Sequence, residues 1–498
     1  MVEISCERSV TPMLDQLTAL DATFLELEQM DEGATMHIGG VMVFDPLPDG
    51  GAPALDAVRD DIAARLTSLP RYTQRLSAEH VGGLAWPRWQ ADPSFDLRNH
   101  VHRAAVPAPG GDPELCEWAA EYFSHRLDRT RPLWEMVLVE GLAEGRWAIA
   151  TKTHHALVDG VGSVDALNVM LAPEPPAPSA EQQSNETRAG WEAIVPHPPR
   201  AVVDLTRSGA RAAAGGLHAA LHPREAFEKS RALAEVIVHD AITGAPQTSL
   251  NVPIGPTRRY EIVRIPLEEL KAIGHEFGGS LNDAVLAACA TGLRKLLIAR
   301  NEQLPSAGLR AMVPVNIRTA SEHLALGNRI SSLFVELPVA EPLAHARARQ
   351  IVERMTALKS SRAALGAATA VDVSSLAPPI LHPLLARTLY GTRLFNLTIT
   401  NVPGPSEALY ACGAPLREVH PLVPLAAEHA VGVAVMSCNG SVVLGLSADC
   451  DSMPDFDVFV DGVRGGLDEL RGLLAGSSDA GPAGRTPARR TEPVRASR

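Results

Sequence analysis

Apolar positions along the chain follow two rhythms: a period near two, which predicts strands, and a period near 3.6, which predicts helices. Residues 36–44 (MHIGGVMVF) read as a strand, weakened at Gly39 and Gly40, which offer no side chain to pack. Residues 55–69 carry apolar side chains at 55, 58, 62, 66 and 69, an amphipathic helix stopped by Pro70. Residues 113–127 predict another helix, and a short helix over 22–30 is expected with Asp21 as its N-cap. Residues 133–142 (LWEMVLVEGL) and 147–153 (WAIATKT) flank Ala143-Glu144-Gly145 and predict a β-hairpin. Apolar positions 164, 167 and 170 then suggest a helix.

From Ala172 the pattern changes. Residues 172–190 are rich in Pro, Ser, Glu and Gln and predict a disordered linker. Residues 201–240 are rich in Ala and Arg with helical periodicity, broken at Gly215-Gly216 and Pro223. They are expected to bridge two halves; the alternative is a helix lying on a membrane surface. A second folded block starts at Asn251, with strands over 260–265, 312–318, 331–337 and 394–401. Helices are expected over 266–273, 280–300 and 455–474, and a hairpin turns at Asn439-Gly440. The last stretch, 476–498, holds five arginines and predicts a disordered, mildly basic tail. The division is therefore 1–171, a linker over 172–250, 251–475 and the tail, with strands and helices mixed in both halves. That is an α/β (α+β) class.

Composition narrows the functional classes. The chain has 498 residues, 46% hydrophobic and 21% charged, enough for a large buried core. A formal net charge of −13 argues against a nucleic-acid partner, which selects a basic face. Six scattered cysteines include no C-x-x-C pair, so neither a zinc knuckle nor a redox motif is indicated, and a reducing cytoplasm is expected. Glu3, Glu7 and Asp15 do not fit a secretory signal. No apolar run approaches the roughly 20 residues that span a bilayer, so membrane contact is expected to be peripheral.

The densest chemistry is Thr151-Lys-Thr-His154-His155-Ala-Leu-Val-Asp159-Gly160, at the end of the second hairpin strand. Adjacent residues there point in different directions, so His154 and His155 have different tasks. A neutral imidazole that takes a proton from a hydroxyl or amine accelerates the reaction on the order of 10²–10⁴-fold. Asp159 either orients a ring or pairs with an arginine to fix the loop, and Gly160 lets the backbone turn. Metal sites favour histidines spaced to converge, as in H-E-x-x-H, so no metal is expected at this adjacent pair. The chain has no G-x-S-x-G elbow, P-loop or dinucleotide fingerprint. An isolated His-His pair also occurs as a purely structural feature; the following x-x-x-D-G at a strand end favours proton transfer.

HHALVDG resembles the HHxxxDG motif of the CoA-dependent acyltransferase superfamily. Pro132-Leu133-Trp134 resembles the PLW motif of bacterial wax ester synthase/diacylglycerol acyltransferases, and Asn282-Asp283 resembles their ND motif at a helix start. Leu20-Asp21-Ala22, Met36-His37, Asn251 to Gly255, Val313 to Arg318, Gly327-Asn328 and Asn401 to Pro405 look like the same family. The region around Cys450-Asp451 lacks the D-F-G-W-G of other superfamily branches. The resemblance implies two chloramphenicol-acetyltransferase-like domains, mixed sheets flanked by helices, and an active-site tunnel at their interface. Acyl-CoA would enter from one side as substrate, and diacylglycerol or a long-chain alcohol from the other, with no cofactor. It implies His155 as general base, His154 as auxiliary, no acyl-enzyme, and Asp159 as a brace paired with Arg131 or Arg318. Pro132, Leu133 and Trp134 are then core or tunnel lining, Asn282 and Asp283 a helix cap or a catalytic pair, and Thr398 or Thr400 an oxyanion donor. The expected location is cytoplasmic, peripheral at the inner membrane or lipid droplets. The rival readings are transfer to a polyketide- or peptide-type acceptor, and a non-catalytic lipid-surface protein.

Overall fold

A computed structural model describes residues 17, 19–77, 87–158, 169–171, 244–316, 330–360, 394–405 and 407–479. The first block comprises α1 (Ala19–Met30), β1 (His37–Phe44), α2 (Leu55–Leu66), β2 (Gln74–Leu76), β3 (Trp89–Ala91) and β4 (Val101–Ala105). It continues through α3 (Asp112–Ser124), β5 (Trp134–Glu140) and β6 (Trp147–His154). The second comprises β7 (Arg258–Pro266), α4 (Leu267–Glu276), α5 (Leu281–Ala299), β8 (Leu309–Asn316), β9 (Ile330–Leu337), α6 (Ala344–Ser360) and β10 (Leu397–Val402). After them come β11 (Tyr410–Ala411), β12 (Ala414–Leu422), β13 (Val431–Cys438), β14 (Ser441–Asp449) and α7 (Phe456–Asp479).

Two six-stranded mixed sheets result, ordered β11-β12-β1-β6-β5-β4 and β7-β14-β13-β10-β8-β9. The hairpin β5–β6 is antiparallel, while β4 runs parallel to β5 and β10 runs parallel to both β13 and β8. The second sheet buries one face under α4, α5, α6 and α7, where Val285, Leu286, Leu293, Leu297, Phe459 and Val463 are fully or almost fully covered. Alternation along each strand sends every second side chain to that core and the others to the opposite face of the sheet.

Sequence order and sheet membership part at one place. β11 and β12 belong to the second block by position, yet β12 pairs antiparallel with β1, from Gly39 opposite Leu422 to Phe44 opposite Leu416. Residues 410–422 therefore stitch the two halves together. Arg264 on β7 reinforces the seam: its Nε donates to Glu418 Oε2 at 2.7 Å and its Nη2 to Asp112 Oδ1 at 2.9 Å. Tyr260 donates its hydroxyl to the Pro421 carbonyl at 2.9 Å.

Gly39 and Gly40, expected to weaken β1, are what its neighbours require. A Cβ at Gly39 would lie 1.8 Å from the Thr151 carbonyl oxygen, and one at Gly40 would lie 2.8 Å from that of His420. Backbone approaches this close admit only glycine.

Some boundaries differ from the periodicity reading. α1 starts at Ala19, which puts Asp21 in the first turn and not at the N-cap, 3% exposed. A helix spans 344–360, a stretch for which the sequence pattern predicts no element, and Ala348, Ile351 and Met355 form its buried stripe. α7 extends to Asp479, past the expected end at 474. The helix expected from Val164 is described only at its last residues, and the linker over 172–243 and the tail from 480 lie outside the described residues. Residues 244–250 are described, and Leu250 is fully buried in the second core. Among the described residues no helix is long and apolar enough to cross a membrane.

Candidate active site

The site is built where β6 ends. β1 pairs with β6 so that His37 stands directly opposite His154. Cross-strand partners share a face of the sheet, and the two imidazoles meet edge to face with centroids 5.7 Å apart. α1 lies across them. Its residues Phe24 and Glu28 are four apart and therefore project from one side of the helix.

Glu28 is 2% exposed. Its Oε1 is 3.1 Å from His37 Nε2 and its Oε2 is 3.3 Å from His154 Nε2. The Met36 N–H reaches Oε1 at 3.4 Å, and Arg129 Nε stands 3.6 Å from Oε2. The tautomer of His154 follows from its other nitrogen: the Ala156 N–H donates to Nδ1 at 3.0 Å, so the ring proton sits on Nε2, facing Glu28. The Leu127 N–H points at the same His37 Nε2 from 3.4 Å, a role that nitrogen fills only in the tautomer that gives up its proton toward Glu28. The shorter carboxylate contact dominates because the acceptor is charged.

Burial pushes His37 down to about 4, against the pull of Glu28. Burial lowers His154 in the same way. Burial alone would raise the Glu28 carboxyl, but the imidazole N–H groups of His154 and His37 hold it well below the usual carboxylate range. The cluster at neutral pH is thus one buried carboxylate with two neutral imidazoles directed at it, 3.1 and 3.3 Å away.

His155 has a different environment. It follows β6 in a turn, and its N–H donates to the Met36 carbonyl at 2.8 Å. Its ring lies on Phe24, with centroids 4.0 Å apart and planes inclined by 13°. His155 is half-buried, with its Nδ1 covered, whereas His154 is fully buried. One histidine of the pair braces the strand end, and the other faces out from it.

Pro132, Leu133 and Trp134 are buried in the core of the first half. The Leu133 carbonyl accepts the His154 N–H at 3.0 Å, which ties this segment to the histidines through the backbone. Trp134 donates Nε1–H to the Tyr72 carbonyl at 2.7 Å and stacks on His100 at 4.7 Å. A narrow cleft between the halves, lined by Thr35, His37, Phe123, Tyr260, Leu422 and Ser447 among others, reaches the His37 side of the cluster.

Asn282 and Asp283 open α5. Asp283 Oδ2 accepts from both the N–H and the hydroxyl of Ser280 at 2.7 Å, a capping arrangement. Asn282 Oδ1 and Asp283 Oδ1 are buried with no hydrogen-bond partner among the described residues. Thr398 is buried and Thr400 half-buried on β10. Leu397 and Ile399 between them fill the helix-side core, so both threonines lie on the opposite face of the second sheet. Arg131 Nε lies 3.4 Å from Asp128 on an exposed turn. Asp159, Gly160 and Arg318 lie outside the described residues. Among the described residues no group of His, Cys, Asp and Glu has the arrangement of metal ligands.

Phe24 and Glu28 are site residues that motif reasoning did not single out, and His37 entered it only as part of a family-like stretch. A signal for Glu28 exists: an acidic residue occupies the buried stripe of α1, beside Leu27, where an apolar residue is the rule.

A family model described as the wax ester synthase/diacylglycerol acyltransferase catalytic domain matches residues 17–285, and the corresponding C-terminal domain matches residues 326–471. A probable diacylglycerol O-acyltransferase of Mycobacterium tuberculosis is 31% identical over 468 residues, covering 92% of this chain and 96% of the relative. The solved wax ester synthase/diacylglycerol acyltransferase of Marinobacter aquaeolei VT8 superposes with a TM-score of 0.63 at 28% identity, covering 92% of this chain and 100% of that one. The starter condensation domain of rhizomide synthetase, solved with C8-CoA and Leu-SNAC, shares the fold with a TM-score of 0.58 at 14% identity, covering 93% and 94% of the two chains. On the sequence matches and the shared two-sheet fold together, the chain is an acyltransferase that belongs to the wax ester synthase/diacylglycerol acyltransferase family.

Proposed function

We propose that the protein transfers a long-chain acyl group from acyl-CoA to diacylglycerol or a long-chain alcohol, with His155 as the general base. The observation that carries this reading is the division of labour at the end of β6. His154 is held beside Glu28 and by the Ala156 N–H, while His155 is only half-buried, on a backbone fixed on Met36. A rigid scaffold that aims one imidazole out of a strand end is the arrangement general-base chemistry needs.

The steps balance with acyl-CoA as the only co-substrate. His155 takes the proton of the acceptor hydroxyl as its oxygen attacks the thioester carbonyl. The tetrahedral intermediate places negative charge on the former carbonyl oxygen, which needs preorganised donors. Thr398 or Thr400 supplies one of them from the face of the second sheet opposite its helices. The intermediate collapses by breaking the C–S bond, and the CoA thiolate receives the proton held on His155. No acyl-enzyme and no cofactor are required. Asp159 acts as a brace for the loop that follows the histidines. The protein works in the cytoplasm, at the periphery of a membrane or lipid droplet from which its apolar acceptor is drawn.

The acceptor is tested with palmitoyl-CoA and a panel of hexadecanol, a diacylglycerol and a long-chain amine, following both CoA release and the acylated product. Ester formation with the alcohol or the diacylglycerol is expected. Acylation of the amine without ester formation would overturn the reading in favour of a peptide-type acceptor. No CoA release with any acceptor would favour a lipid-surface protein without catalysis.

A further inference from the structure

We infer that Phe24 is a positioning residue for His155, and that its ring face stabilises the imidazolium formed when the acceptor hydroxyl gives up its proton. The inference rests on the reading of His155 as general base. Two observations carry it. The Phe24 and His155 rings are nearly parallel, 13° apart in plane, at a centroid separation of 4.0 Å. The backbone of His155 is separately held by its 2.8 Å bond to the Met36 carbonyl, so the stack adds what the backbone bond leaves undetermined, the rotation of the side chain.

The energetic argument turns on charge. A benzene ring presents a negative face, and a parallel face-to-face arrangement of two neutral rings gains little from it. The same arrangement with a cationic ring is attractive, and more so away from water. Phe24 is 5% exposed and packs among Leu27, Ala34 and Met36, so the contact lies in a low-dielectric setting. The interaction therefore strengthens as the proton moves from the acceptor oxygen to the imidazole. An interaction stronger in the transition state than in the ground state raises kcat, while one equal in both only lowers KM.

α1 supplies this contact and the brace of the neighbouring histidine from one surface. Phe24 touches His155, and Glu28, one turn later, holds His154 and His37. The helix thus sets both members of the pair, one by charge and one by a ring face.

Replacement of Phe24 by phenylalanines carrying one to four ring fluorines tests the inference in the full-length enzyme. Fluorination drains the negative face with little change of shape, so packing is kept and only the attraction for a cation is lost. We expect kcat for ester formation to fall stepwise along the series, by about 3- to 30-fold at its end, with KM for acyl-CoA within about twofold. Phe24→Leu is expected to match the most fluorinated form, and Phe24→Trp, with the stronger ring, to retain kcat. A flat series, or a change confined to KM, overturns the inference. His155→Ala run in parallel separates the two claims: if it keeps turnover, the general-base reading fails; if it is inactive while the fluorinated series is flat, only the role of Phe24 fails.

Discussion

Replacing Glu28 by Gln removes the one buried negative charge to which both His37 and His154 direct their Nε2 atoms. The wild-type carboxylate lies 3.1 and 3.3 Å from these two nitrogens and 3.6 Å from Arg129 Nε. Hydrogen bonds to a charged group contribute roughly 1.5–3 kcal/mol each. Glutamine keeps one acceptor oxygen, so one imidazole retains a bond of neutral strength. Its amide presents N–H to the other imidazole N–H, donor against donor. The gross loss is about 2–5 kcal/mol, offset in part because a neutral amide costs less to bury than a carboxylate. We expect a net destabilisation of about 2 kcal/mol, which lowers Tm by roughly 2–4 °C in a chain of this size. His154, no longer held in one tautomer, loosens the strand end that carries His155, and kcat is expected to fall about tenfold or more. Thermal unfolding and CoA release on the same preparations give the two readouts, and Glu28→Asp, which keeps the charge, should recover part of both. A Gln variant that matches the wild type in Tm and in kcat would refute the reasoning.

Gly39→Ala places a methyl group 1.8 Å from the Thr151 carbonyl oxygen, so β1 must separate from β6 beside the histidines; loss of soluble folded protein is expected, and a normal circular dichroism spectrum would contradict it. Acid should destabilise the protein between pH 6.5 and about 4, because His37, held at about 4 when folded, takes up its proton near 6.5 when unfolded, so the unfolded chain binds more protons across that window and stability falls as the pH falls. His37→Asn should flatten this part of the curve of Tm against pH; an unchanged slope would oppose it. Arg264→Met leaves Glu418 and Asp112 without their shared guanidinium at the seam between the halves, and a loss of about 1–3 kcal/mol is expected in denaturant unfolding, smaller than for a fully buried pair because the side chain is 33% exposed.

The elements around the histidines are legible in the sequence because each carries a local signal. The hairpin β5–β6 alternates around a glycine turn, α5 begins with Ser280 and an acidic residue three positions later, and β13–β14 turn at Asn439-Gly440. β12 carries no such signal: Pro415 and Pro421 argue against a strand, and its partner β1 lies more than 370 residues away in sequence. Its place is set by a long-range pairing that no local window contains. The histidine motif is legible by its chemistry, since two imidazoles, a carboxylate and a glycine within seven residues are dense in proton-handling groups. Glu28 and Phe24 are not, because their roles arise only when α1 packs across the end of β6. A carboxylate on an apolar stripe is a visible anomaly, but its partners are more than a hundred residues away along the chain in the case of His154.

The central claim is that the imidazole of His155 moves the proton from the acceptor to the departing thiolate. It is tested most directly by measuring CoA release and ester formation from palmitoyl-CoA and hexadecanol or diacylglycerol by His155→Ala. The variant should retain the wild-type circular dichroism spectrum and Tm while turnover falls on the order of 10²–10⁴-fold. Turnover within a few-fold of the wild type in a folded His155→Ala protein would contradict the account.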